Sequence, residues 1–328
     1  MATYDAELAE TEVSSEGEHV LREALRTGVP IAAVLGQTVG WNDGRADPVL
    51  ASALKKASRP GDDWKALLSR DPLPRAFYEW LGDRFLNRAP SPELLSAADA
   101  DFSAIYTSSI DPGLLNLFAT EGRQPEPVLL GDPPPPVRRS RRRVPVYYLF
   151  GRAGAGLVDF TPPSTTHGLS QRRLRHASAM LRTLNETVTP LGLIVIDGYD
   201  PARDWLRGED LLALLGSAPI GGVLWCGPNP EFSGEDADVY QTLVDQGVII
   251  RDQRPLGRLL AILRASGDEN WSERWDTPPL RERSNCSPWA IWRWKDDSAR
   301  ATCSYNKGKS ISCSVVCIQS FVAGYRRR

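Results

Sequence analysis

Apolar residues fall into short continuous runs separated by stretches with a period of about 3.6, the pattern of buried strands alternating with amphipathic helices. Val20, Leu21, Ala24 and Leu25 form a helical stripe within residues 18–27, and Pro30-Ile-Ala-Ala-Val-Leu-Gly36 reads as a buried strand closed by glycine. From Asp47 to Asp99 the pattern is helical, with Leu50, Leu54, Leu67, Phe77, Trp80, Leu81 and Phe85 as its apolar face. Prolines 72, 74, 90 and 92 interrupt it, which predicts a helical lobe over about residues 47–99. Residues 102–108 predict a second strand, followed by Asp111-Pro-Gly and a helix carrying Leu114, Leu115, Leu117 and Phe118. Residues 128–130 form a short strand candidate, and Val144-Pro-Val-Tyr-Tyr-Leu-Phe150 a longer one.

Beyond it the rhythm continues. A helix is expected over about residues 169–184, and Leu191-Gly-Leu-Ile-Val-Ile196 is the clearest core strand. Helices at 209–216, 237–246 and 256–264 then alternate with strands at 222–226 and 248–250. Continuous Val/Ile/Leu runs mark strands covered on both faces, hence a mostly parallel sheet. The expected fold is α/β, a Rossmann-like parallel sheet flanked by helices, with the helical lobe beside it. It spans residues 20–265, after an acidic tail over residues 1–19. In such sheets ligands bind at the carboxyl edge of the strands.

The alternation stops near Ser266. Residues 266–328 hold five of the ten tryptophans and four of the five cysteines, without a strand–helix rhythm. Structural zinc sites pair their ligands at short spacings, and only Cys313 and Cys317 do so here, so no metal is expected. The composition is that of a poorly ordered segment, or of coding sequence read in a shifted frame.

A net charge of −2 argues against coating nucleic acid by charge alone. The first 20 residues carry six acidic side chains and no Lys or Arg, unlike a secretory signal, and no 18-residue apolar stretch exists. With cysteines too unevenly placed for a disulfide framework, a cytoplasmic location without membrane contact is expected.

Individual motifs carry little chemistry alone. Gly151-Arg-Ala-Gly-Ala-Gly156 lacks the Lys-Ser/Thr of a nucleotide-binding loop and reads as a glycine-rich turn between strands. Arg138-Arg-Ser-Arg-Arg-Arg143 follows four prolines without interleaved aromatics, as solvated loops do. Of the three histidines, His167 is placed in a loop before a helix, where it is a candidate base or an exposed cap.

Taken in order, the strand ends resemble the sirtuin-like domains of prokaryotic defence proteins. The residues are Ala33-Val-Leu-Gly-Gln-Thr-Val-Gly40, Tyr106-Thr-Ser-Ser-Ile-Asp111, Tyr147-Tyr-Leu-Phe-Gly151 and Ile194-Val-Ile-Asp-Gly-Tyr-Asp-Pro-Ala-Arg-Asp204. The resemblance spans about residues 20–264. It implies NAD contacts at Gly36, Thr38, Gly40, Thr107, Asp111, Gly151, Gly198 and Tyr199, with Ser109 where the family has asparagine. In an active enzyme Ser109 and Asp111 would be the catalytic pair. Three departures stand out: Gln37 and Thr38 alter the glycine loop, Ser109 replaces an amide, and Phe150 stands where the family has its histidine base. Phenylalanine accepts no proton, and losing a general base costs a factor of roughly 100 to 10,000.

The resemblance therefore implies a non-catalytic domain that senses NAD or ADP-ribose, or binds a protein partner, in a defence or stress system. An active NAD hydrolase of an anti-phage system, with Asp111 and His167 replacing the base, is the alternative; nucleic-acid binding through residues 138–143 is the weaker one. On the first reading Phe150 ends a buried strand and packs with Tyr148 or core leucines, filling the space of an imidazole.

Overall fold

Seven strands, each paired in parallel with its neighbours, form one sheet in the order β3-β4-β2-β1-β5-β6-β7. The computed structural model describes residues 15–38, 48–61, 63–86, 100–118, 124–128, 143–154, 160–188, 192–216 and 222–266. The strands are β1 (Ile31–Leu35), β2 (Phe102–Thr107), β3 (Gln124–Val128), β4 (Arg143–Tyr148), β5 (Leu193–Asp197), β6 (Val223–Cys226) and β7 (Ile249–Asp252). Every residue of β1, β2, β5 and β6 is buried, as expected of strands covered on both faces. The chain builds one half of the sheet from β1 to β4, with β4 inserted between β2 and the edge strand β3, then crosses back to lay β5 on the other side of β1. The junction of β1 and β5 is thus the topological switch point, where doubly wound sheets place their ligand crevice.

Helix α1 (Glu16–Thr27) begins two residues before the expected position, so residues 16–19 belong to the domain. Ser15 caps it by accepting a hydrogen bond from the Glu18 amide, and Gly28 ends it at φ 69°. Arg254, after β7, ties this helix to the sheet through Asp252 (2.8 Å) and Glu18 (3.3 Å).

The lobe consists of α2 (Pro48–Ala57), a 3₁₀ turn (Ala66–Leu68) and α3 (Arg75–Phe85). Leu50, Leu54, Leu67, Phe77, Leu81 and Phe85 are buried as the spacing predicts. Trp80 differs: it is only partly buried, with Lys56 and Arg84 over its ring. The lobe docks onto the loop after β4 through glycine, because a Cβ on Gly82 would lie 2.3 Å from the Gly154 Cα.

Two elements differ from the sequence pattern. Strand β3 covers 124–128, so it begins four residues before the expected 128–130, of which 129 and 130 lie outside the described residues, and it contains Pro125 and Pro127. Prolines survive in strands at sheet edges, where the missing N–H groups also discourage a further strand. The expected helix at 169–184 is longer, running as α5 (Thr166–Arg172), a π-helical turn (Arg173–Ala177) and α6 (Ser178–Val188). His167 is therefore not in a loop but in the first turn of α5. The remaining helices among the described residues are α4 (Gly113–Phe118), α7 (Gly208–Gly216), α8 (Glu235–Asp245) and α9 (Leu256–Ala265). No helix among the described residues is long and apolar enough to cross a membrane. The expectations for residues 1–14, 87–99, 138–142 and 267–328 lie outside the described residues.

Candidate functional site

At the switch point the backbone turns sharply after β1, and three successive amides become available. A glycine-rich loop would offer such amides to a phosphate. Here the chain's own acceptors take all three. The Gly36 amide donates to the Asp197 carbonyl (2.8 Å), the Gln37 amide to the Asp204 carboxylate (2.9 Å), and the Thr38 amide to the Gly198 carbonyl (3.0 Å). The Thr38 hydroxyl donates to that same carbonyl at 2.6 Å. Gly36 is required for a different reason than ligand approach: a Cβ there would lie 2.1 Å from the Gly198 carbonyl oxygen.

Asp204 binds three segments at once. Besides the Gln37 amide it accepts the Ser108 hydroxyl (2.9 Å), from the turn after β2, and the Leu206 amide (2.8 Å). Burial pushes its carboxyl up from 3.8 to about 6, against the pull of these hydrogen bonds and of Lys65. The loop carrying it, residues 198–207, is held from both sides. Lys65 Nζ donates to the Ala202 carbonyl and Arg173 Nε to the Trp205 carbonyl, each at 2.6 Å. Tyr199, buried, closes the loop on itself by donating to the Leu206 carbonyl (3.2 Å). Burial raises the Tyr199 phenol well above its ordinary pKa, with Asp204 adding to it, so this tyrosine is a donor at neutral pH.

The turn after β2 is a cascade of side-chain to backbone bonds. Thr107 Oγ1 accepts from the Ser109 amide (3.0 Å), Ser109 Oγ from the Asp111 amide (3.2 Å), and Asp111 Oδ1 from the Gly113 amide (2.8 Å). All three residues are buried. Short polar side chains of this kind replace secondary structure locally and fix the exit of a strand. Tyr148 supports the turn by donating to the Asp111 carbonyl (3.0 Å).

Phe150 follows β4 and is fully buried. Its ring meets Trp205 edge-on, with centroids 5.9 Å apart and planes at 87°. Phe150 is buried in the same core cluster as the leucines expected around it, while Tyr148, the other expected neighbour, stacks edge-on with Phe160. Gly151 sits behind it at φ 90°, where a Cβ would lie 2.5 Å from the Phe160 carbonyl oxygen. Arg152 donates its amide to that same carbonyl (2.8 Å), so residues 151–154 are a tight structural turn.

The structure thus gathers Gly36, Thr38, Gly198 and Tyr199 at the switch point, with Thr107, Ser109 and Asp111 in the neighbouring turn. Gly40 lies outside the described residues. His167 does not join them as a base: it is exposed and hydrogen-bonded to Gln171 in its own helix. The sequence singles out neither Ser108 nor Trp205; it shows Gln37 only as a departure in the glycine loop and Asp204 only as the last residue of the Gly198-Tyr199 motif. The Asp of the Gly198-Tyr199 motif was the one available signal, since a carboxylate at a fixed distance from a strand end needs a donor. As arranged, the amides of residues 36–38 offer a dinucleotide phosphate no free donor, and Gly36 abuts backbone. Among the described residues no group of three or more His, Cys, Asp or Glu is placed to hold a metal.

The chain is a doubly wound, Rossmann-like α/β protein whose described strand-end turns are closed by its own backbone carbonyls and side chains. No protein-family profile matches it, and no curated protein is detectably similar to it.

Proposed function

We propose that this chain is a non-catalytic, sirtuin-like domain serving as an interaction or NAD/ADP-ribose sensing module of a prokaryotic defence or stress protein. The observation that carries the non-catalytic part is Phe150. It holds the strand-end position where such a domain needs a base, and it is packed fully against Trp205. Ser109 and Asp111 support the same reading, since their side chains accept hydrogen bonds from their own turn. The occupied amides of residues 36–38 favour the interaction role over dinucleotide sensing. The rival, an NAD hydrolase, would need Asp111 as its base, and that residue is buried.

Phe150→His tests the proposal. An imidazole would give up apolar burial and bring a polar N–H into a packed site, for a loss of about 3 kcal/mol in unfolding free energy. No nicotinamide release from NAD is expected from this variant or from the parent chain. Release from the parent that Asp111→Asn abolishes would establish the hydrolase instead. Calorimetric titration with NAD and ADP-ribose separates the two roles of the module: no heat with either leaves interaction alone.

A further inference from the structure

Away from the strand-end turns, a groove of about 400 Å³ runs between α3 and the α5–π segment. Its wall on the α5 side is built by residues recurring every three or four positions: Gly168, Gln171, Arg172, Arg175 and His176. Arg75 and Tyr78 face them from α3. The floor is apolar and proline-rich, with Pro162 and Pro163 buried and Tyr78 fixed by its hydroxyl donating to the Pro163 carbonyl (2.7 Å). Among the described residues no carboxylate lines the groove, while three arginines and a histidine do.

We propose that this groove binds a nucleotide-sized organic phosphate. The three guanidinium groups are arranged differently, and the difference matters. Arg172 is anchored by donating to the Thr161 carbonyl (2.9 Å), which holds one cation rigidly at the groove wall. Arg75 faces the groove from α3, its side chain about half exposed and its Nε 2.8 Å from the Glu79 carboxylate one turn along. Arg175 is exposed and makes no hydrogen bond or ion pair among the described residues, so its five donors face solvent. Like charges converging on a concave surface repel one another and focus a positive potential that an anion relieves. Guanidinium forks match phosphate oxygens in pairs, which selects phosphate over simple halides. The volume lies within the range of small-molecule sites, so the groove is large enough for a phosphate that carries an organic group.

The experiment is calorimetry on the full chain with ADP, pyrophosphate and adenosine at low salt. ADP is expected to bind, pyrophosphate more weakly, and adenosine not at all. Affinity for ADP should fall as salt is raised. Arg175→Glu should weaken ADP at least tenfold, whereas Arg258→Glu, an exposed change on α9, should not alter it. Arg175→Gln, which removes the charge without reversing it, gives the same answer if the glutamate variant folds poorly. No heat with ADP and pyrophosphate, or ADP binding that both Arg175 variants leave intact, overturns the proposal. Any NAD or ADP-ribose heat that survives Arg175→Glu belongs to the strand ends, so the groove and the sensing role stand or fall separately.

Discussion

Gly36→Ala is expected to prevent the domain from folding. A Cβ at this position would lie 2.1 Å from the Gly198 oxygen, 2.5 Å from its carbonyl carbon and 2.4 Å from the Tyr199 Cα. All three atoms are backbone, so no side chain can swing aside. Moving β1 and the β5 exit apart by the ångström or so needed would break the Gly36–Asp197, Thr38–Gly198 and Gln37–Asp204 bonds together. The expected loss exceeds about 4 kcal/mol, a large part of the roughly 5–15 kcal/mol that holds a domain. Soluble yield and urea unfolding measure it, with Gly216→Ala as control, since nothing lies within 4 Å of a Cβ there. The outcome also separates two roles for the same glycine. A glycine kept only for ligand approach would tolerate alanine in the unliganded protein and lose only binding. A Gly36→Ala protein with an unchanged unfolding midpoint would therefore refute the closed strand ends described above.

That distinction marks the boundary of what the sequence reveals. β1 and β5 are legible because runs of four or five consecutive apolar residues, buried at every position, leave no alternative to a central strand. The lobe is legible through its helical spacing. β3 is not, because prolines argue against a strand unless the strand is known to be an edge, and edge position is a property of the whole sheet. The π turn and the placement of His167 within α5 depend on local backbone choices to which hydrophobic periodicity is blind. The site shows the limit most clearly. The motif around Gly198 and Tyr199 identifies the strand end, yet the Gln37–Asp204 bond spans 167 residues and the Ser108–Asp204 bond 96. Phe150 was legible as a departure from the pattern; Trp205 as its partner was not, for the same reason.

Asp204→Ala is the second change with a large expected effect, and its pH dependence tests the network more stringently than the loss itself. Removing the carboxylate strands two buried backbone amides, Gln37 and Leu206, and the Ser108 hydroxyl. Each unsatisfied group costs about 1–3 kcal/mol, partly offset by no longer burying a charge, for a net loss of about 3 kcal/mol. For a domain of this size that is a drop of about 6–12 °C in Tm. Asp204→Asn should lose less, because one oxygen remains while its NH₂ faces an amide donor. The carboxyl titrates near 6 when folded and near 3.8 in its ordinary state, so the folded protein holds a proton that the unfolded chain releases. The stabilisation from that proton is complete below 3.8 and is lost as pH rises through about 6. Between pH 7 and pH 5 the parent should therefore gain about 1 kcal/mol relative to Asp204→Asn, which does not titrate there. Urea unfolding of both proteins at the two pH values isolates this group from every other carboxylate. A constant difference between them would mean that Asp204 is solvated and that the loop after β5 does not clamp the ends of β1 and β2.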